Sequence, residues 1–130
     1  MAELLTIKAW LKGLLDGNAV GVADRVYDAP APPGSTFPLV TFQYLDGADV
    51  RGVGPARIMT DGLWLVRAIN QSNDYGTLST IVDSIDSLLQ GSHGAGSVLG
   101  SVRESPFELT EEVDGVKYIH LGGMYRIYAQ

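Results

Sequence analysis

Apolar and polar residues change their rhythm several times along this chain, and each change marks an element. Leu4, Ile7, Leu11 and Leu14 recur with the spacing of a one-faced helix, and Leu5 and Leu15 widen the stripe. Glu3 stands in the first turn, where the helix dipole favours an anion, and Gly17 supplies a stop. Ala23–Tyr27 then reads as a short strand. Pro30, Pro32, Pro33 and Pro38, with Gly34 and Ser35 between them, make an extended surface connection. Proline fixes φ and has no N–H to give to a ladder, so this piece is not an element.

The period then becomes two. In Leu39–Leu45, Val40, Phe42 and Tyr44 point to one face; in Leu63–Ile69, Trp64, Val66 and Ala68 alternate with Leu63, Leu65, Arg67 and Ile69. Apolar residues on both faces predict that both are covered, by helix on one side and by something else on the other. Between the runs lies a polar middle, Asp46–Arg57. Hairpin loops take about two to five residues, and irregular loops beyond roughly a dozen are uncommon unless they bind. The middle is therefore expected to be an arm that contacts other subunits. Asp46, Asp49, Arg51 and Arg57 offer both signs of charge, and Gly52 and Gly54, with Gly47, supply flexibility.

The second helix has the clearest stripe: Leu78, Ile81, Val82, Ile85, Leu88 and Leu89 face inward. Thr77, Ser79, Thr80, Asp83, Ser84, Asp86 and Ser87 are expected outside, and Asn73 or Asp74 can cap the start. Gly91–Ser97 reads as the loop that ends the helix. Val98–Leu109 reads as a strand interrupted at Pro106, which places that point at an edge or bulge. Glu111, Glu112, Asp114 and Gly115 are assigned to a turn, and Val116–Tyr128 to the last strand. Gly122 and Gly123 inside it signal a bulge or a close backbone approach. The fold class is thus α+β: a mixed, mainly antiparallel sheet of four or five strands, packed with two amphipathic helices in the order α-β-β-β-α-β-β. All 130 residues form one domain by length.

Composition narrows the function more than the fold. Hydrophobic residues make up 45% and charged residues 18%, which is too apolar for disorder. The net charge is −6 and the nine Lys and Arg are scattered, so no basic stripe offers itself to DNA or RNA. The absence of cysteine excludes a disulfide scaffold, thiolate zinc sites and a cysteine nucleophile. No apolar run approaches the roughly 20 residues of a membrane span. Lys8 and Lys12 interrupt the apolar N-terminus, which is read as part of the fold and not as a signal sequence.

No constellation in the chain carries catalytic chemistry. His93 and His120 have no partner at metal-ligand spacing and read as exposed or locally bonded histidines. The glycines around His93 follow a helix and precede a strand, the reverse of a phosphate-binding turn. Asp83 with Asp86, and Glu111 with Glu112, read as a solvated helix face and a charged turn. Tyr118, Tyr125 and Tyr128 with Trp64 read as core and interface packing. No catalytic residue, metal ligand or cofactor site is assigned.

Arg25–Pro30 (RVYDAP), the Pro/Gly connection and Phe37–Val40 (FPLV) resemble the tail-terminator or tail-completion proteins of long-tailed bacteriophages. The opening helix, the hairpin with its long loop, the Leu78–Leu89 helix and two closing strands ending in Gly123–Tyr128 follow in that order. The resemblance implies a non-enzymatic virion protein of the tail or neck, assembled in the host cytoplasm. Such proteins form closed rings, commonly hexamers, that cap the tail tube, end its growth and join tail to head. The implied partners are further copies of the chain, the tail tube protein and a head-tail connector or adaptor, with DNA passing through unbound and no membrane involved. A head-side connector or neck adaptor ring is the alternative in the same setting. A small-molecule-binding or enzymatic α+β domain is the alternative from another class, and it requires a concave site with converging polar groups.

Overall fold

The computed structural model describes residues 2–52, 54, 57–71, 74–91 and 98–130, with the backbone alone at position 2. The elements are α1 (Ala2–Leu15), β1 (Val26–Asp28), β2 (Leu39–Arg51), β3 (Arg57–Asn70), α2 (Tyr75–Leu89), β4 (Val98–Val113) and β5 (Val116–Ala129). The predicted order and class hold. The strands form one sheet in the order β1-β2-β3-β5-β4, with β1 parallel to β2 and every other pair antiparallel.

Both helices pack on one face of the sheet. Ile7, Leu11 and Leu15 of α1 and Leu78, Ile81, Ile85 and Leu89 of α2 share a single core with Val40, Phe42, Trp64, Val66, Tyr125 and Ile127. The sheet members are every second residue of their strands, which is why the period-two reading finds them. Leu5 is a correction: it is 69% exposed, outside the stripe it was expected to widen. Asp74 caps α2, its carboxylate accepting from the Thr77 N–H at 3.1 Å and the Thr77 hydroxyl at 2.5 Å. These bonds hold its carboxyl below the usual aspartate range. Asn73, the other expected cap, lies outside the described residues, as do His93 and most of the Gly91–Ser97 loop.

Several boundaries move. The first strand is Val26–Asp28, not Ala23–Tyr27, because Ala23 adopts φ +49°, which no strand accommodates. The segment Asp46–Arg57 is mostly paired strand and not a long loop. Ala48 sits opposite Asp61, Asp49 opposite Thr60 and Val50 opposite Met59, so the hairpin ladder continues through the polar residues. Glu111 and Glu112 belong to β4, whose turn is only Asp114-Gly115, with φ of +53° and +78°. That is the two-residue, left-handed turn an Asp-Gly pair favours. Pro106 does lie on an edge strand, close to a register shift between Arg103 and Ser105. At Gly122 the backbones approach closely: a Cβ there would stand 2.1 Å from the Val66 carbonyl oxygen.

Candidate functional site

Period-two alternation sends Leu39, Leu65, Ile69, Met124, Phe107 and Leu109 to the face opposite the helices. Among the described residues, no helix or second sheet lies over that face. The proline-rich connection covers one end of it, where the Phe37 and Tyr118 rings stand 5.6 Å apart. Beside them opens a recess of about 260 Å³, lined in part by Ala31, Leu39, Val113 and His120. Val113 (50%), in its lining, and Leu109 (41%), opposite His120 across the strands, remain substantially exposed.

Polar groups on this face pair with one another across strands. Arg126 of β5 donates to Asp61 of β3 at 3.0 Å and to both carboxylate oxygens of Glu104 in β4 at 3.2 Å. The bonds to Asp61 and then to Glu104 push its pKa up. The Arg67 guanidinium lies 5.9 Å from the centre of the Phe107 ring, and burial lowers its pKa. His120 is buried, and its Nε2 lies 2.8 Å from Glu111 Oε1. Burial keeps the imidazole below its ordinary pKa of 6.5 and the nearby Arg67 adds to that, against the pull of Glu111. The ring is therefore neutral at pH 7, and Nε2–H donates to the carboxylate. A base with an orienting acid is present, but no hydroxyl is bonded to the ring among the described residues. His120 thus falls on the locally bonded side of its expectation.

The arm residues divide into two groups. Arg57 pairs with Glu3 of α1 and, at 3.6 Å, with Asp49, so the arm is tied to the first helix near its outer end, where Arg57 stands opposite Arg51. Asp49 also accepts from the Thr60 hydroxyl at 3.4 Å, and Asp46 accepts from the Gly47 N–H at 2.8 Å. Gly47 is a close-approach position and not a flexible one, since a Cβ there would meet the Asp61 carbonyl oxygen at 2.6 Å. Arg51, Gly52 and Gly54 are exposed at the far end, and Gly54 takes φ +86°. Arg51 makes no ion pair among the described residues.

Two contacts escaped the sequence reading. Asp86 was expected outside α2, but the Tyr125 hydroxyl donates to it at 2.9 Å, so the helix is pinned to the sheet by a polar bond. Burial first, and then Asp86, push the Tyr125 pKa well up. Ser84, also expected outside, accepts from the Val20 N–H at 3.1 Å. The Glu111–His120 pair did have a signal. An Asp-Gly turn at 114–115 fixes the hairpin register and sets both residues on one face, diagonal to each other.

No protein-family model matches this chain, and no curated protein matches it. Among solved structures it is similar to a chain from the "Virion of native gene transfer agent (GTA) particle". The TM-score is 0.59 at 20% sequence identity, over 94% of this chain and 86% of that one. At that identity the likeness is one of fold.

Proposed function

We propose that this chain is a structural virion protein of a phage-like particle that assembles into a ring, commonly of six copies, on the tail tube. In that position it ends tube growth and joins the tail to the head. The observation that carries the reading is the fold shared, nearly end to end, with a chain of a gene transfer agent virion. The sheet adds support: one face packs into the core, while the other has no helix or second sheet over it among the described residues and leaves Leu109 and Val113 exposed, although Leu39, Leu65 and Ile69 there are buried. The arm, held against α1 through Arg57 and exposed at Arg51, Gly52 and Gly54, extends the surface available to a neighbour or to the tube. Six copies at −6 each carry −36, so a ring of this protein repels DNA phosphates and lets the duplex pass unheld. The test is electron microscopy of tail tubes grown with and without the protein. Rings at one tube end and tubes of uniform length support the reading. Tubes unchanged in length and uncapped contradict it, and binding at the head side alone makes the protein a neck adaptor.

A further inference from the structure

Among the described residues the sheet has two open edge stretches, and each begins where an internal contact stops. On β2, β1 pairs with residues only as far as Phe42, leaving Gln43–Arg51 open along one side. On β4, the Gly91 N–H donates to the Ser101 carbonyl and the Arg103 N–H donates to Gln90 Oε1, both at 2.8 Å. That blocks the start of the strand and leaves Ser105–Val113 open. Both open stretches are nine residues long. Unpaired strand edges of that length are templates for another strand.

We infer that β4 of one copy pairs with the β2 arm of the next, so that the sheet runs on from subunit to subunit. This inference rests on the ring reading above and names the contact that would build the ring. Three observations support it. The strand order makes β2 and β4 antiparallel, so copies in one common orientation bring antiparallel edges together. Backbone direction also agrees. Pro106 has no N–H, so its position faces the open side, and alternation turns Glu108, Thr110 and Glu112 the same way. On β2, Val40 and Phe42 bond toward β1, and beyond the bulge at Tyr44/Asp46 the alternation turns Gly47 and Asp49 outward; the shift at Val50/Arg51 adds its extra residue, Ile58, to β3, so Arg51 follows them.

Charge then selects a register. Setting the free Arg51 opposite the exposed Glu108 also sets Val50 against Leu109, Asp49 against Thr110, Ala48 against Glu111 and Gly47 against Glu112. The cationic residue meets an anionic one, an apolar pair forms on the open face, and no two like charges stand opposite. Each copy is then displaced along the strands. Asp49 is level with Thr60, whereas Thr110 is level, through Ile119, with Asn70. Ten residues at about 3.3 Å each make roughly 33 Å. The displacement carries the neighbour's β1 past the end of β4, clear of Gln90 and Gly91. A closed ring absorbs such a stagger by tilting its strands.

The experiment compares native mass spectra of the full chain, Glu108→Pro, Arg51→Glu and the swap Arg51→Glu/Glu108→Arg, with circular dichroism reporting the fold. Proline at position 108 removes an outward N–H and leaves the β5 ladder intact. The expected result is a folded, monomeric Glu108→Pro protein, assembly weakened at least tenfold in Arg51→Glu, and recovery in the swap. Folded Glu108→Pro that assembles like the original chain overturns edge pairing and leaves the ring reading standing. If Glu108→Pro does not fold, the swap decides: failure to recover assembly overturns the pairing. An original chain that stays monomeric even with tail tubes present contradicts the ring reading, and the pairing with it.

Discussion

One face of this sheet meets two helices through Val40, Phe42, Trp64, Val66 and Ile127, all at most 2% exposed. The other face carries Leu65, Met124, Phe107 and Leu109 among paired charges, and among the described residues only a proline-rich segment lies across one end. The strands are the same strands, so the difference is made residue by residue through alternation. On the helix side, burial is complete and the contacts serve folding. On the open side, Arg126 binds Asp61 and Glu104, and His120 binds Glu111. These groups pair within the sheet, although His120 Nδ1 has no partner among the described residues, and Leu109 and Val113 stay exposed beside them. A substitution on the first face should therefore read out in stability, and one on the second in assembly.

The largest effect expected on stability is that of Ile85→Ala, which empties a site in the α2 core. Thermal or urea unfolding should report a loss of about 2–5 kcal/mol. An unchanged midpoint would mean that α2 does not pack as described. Gly122→Ala comes next: the new Cβ would collide with the Val66 carbonyl and with Arg67 Cα at 2.6 Å. A cost of about 1–3 kcal/mol is expected from the forced strand shift, whereas Gly100→Ala, with open space around it, should change little. Tyr125→Phe keeps the packing and strips the bond to Asp86, so about 1 kcal/mol should be lost in urea titration.

The smallest effect is a pH dependence on the open face. The folded His120 has a pKa below its ordinary 6.5, so below that pH the unfolded chain takes a proton that the folded chain resists. Its contribution to stability is thus present above pH 6.5 and declines as the pH falls through that value. Urea midpoints at pH 7.5 and 5.5 should fall more steeply for the original chain than for His120→Gln. Equal slopes would mean that His120 is not buried as described.

The helix-packed half of the fold was legible because its signals are redundant. The α2 stripe and the alternation in β2 and β3 each point to the same core. What was hidden lies where pairing carries no hydrophobic signature. Ala48–Arg51 pairs with β3, but both faces of that ribbon are largely wet, so its polar residues read as loop. Reading Glu111 as turn likewise detached it from His120, although the Asp-Gly pair alone places the turn two residues later. Asp86 looked solvated because helical periodicity ranks it with the polar face, and only the sheet beneath shows that Tyr125 reaches it. Of the candidate surface residues, Arg57 and Asp49 are engaged within the chain, while Arg51, Gly52 and Gly54 are exposed and Arg51 makes no ion pair among the described residues.

The account rests on the division between a folding face and an assembling surface, and the arm tests it most directly. Replacing residues 48–56 by a Gly-Ser turn removes the outer pairs of the hairpin and none of the described core. The measurement is the mass of the free protein, before and after that replacement, followed by its capping of tail tubes. Rings are expected for the original chain, and a folded monomer with an unfolding midpoint little changed for the shortened one, unable to end tube growth. A shortened protein that still forms rings and yields tails of normal length joined to heads would contradict it.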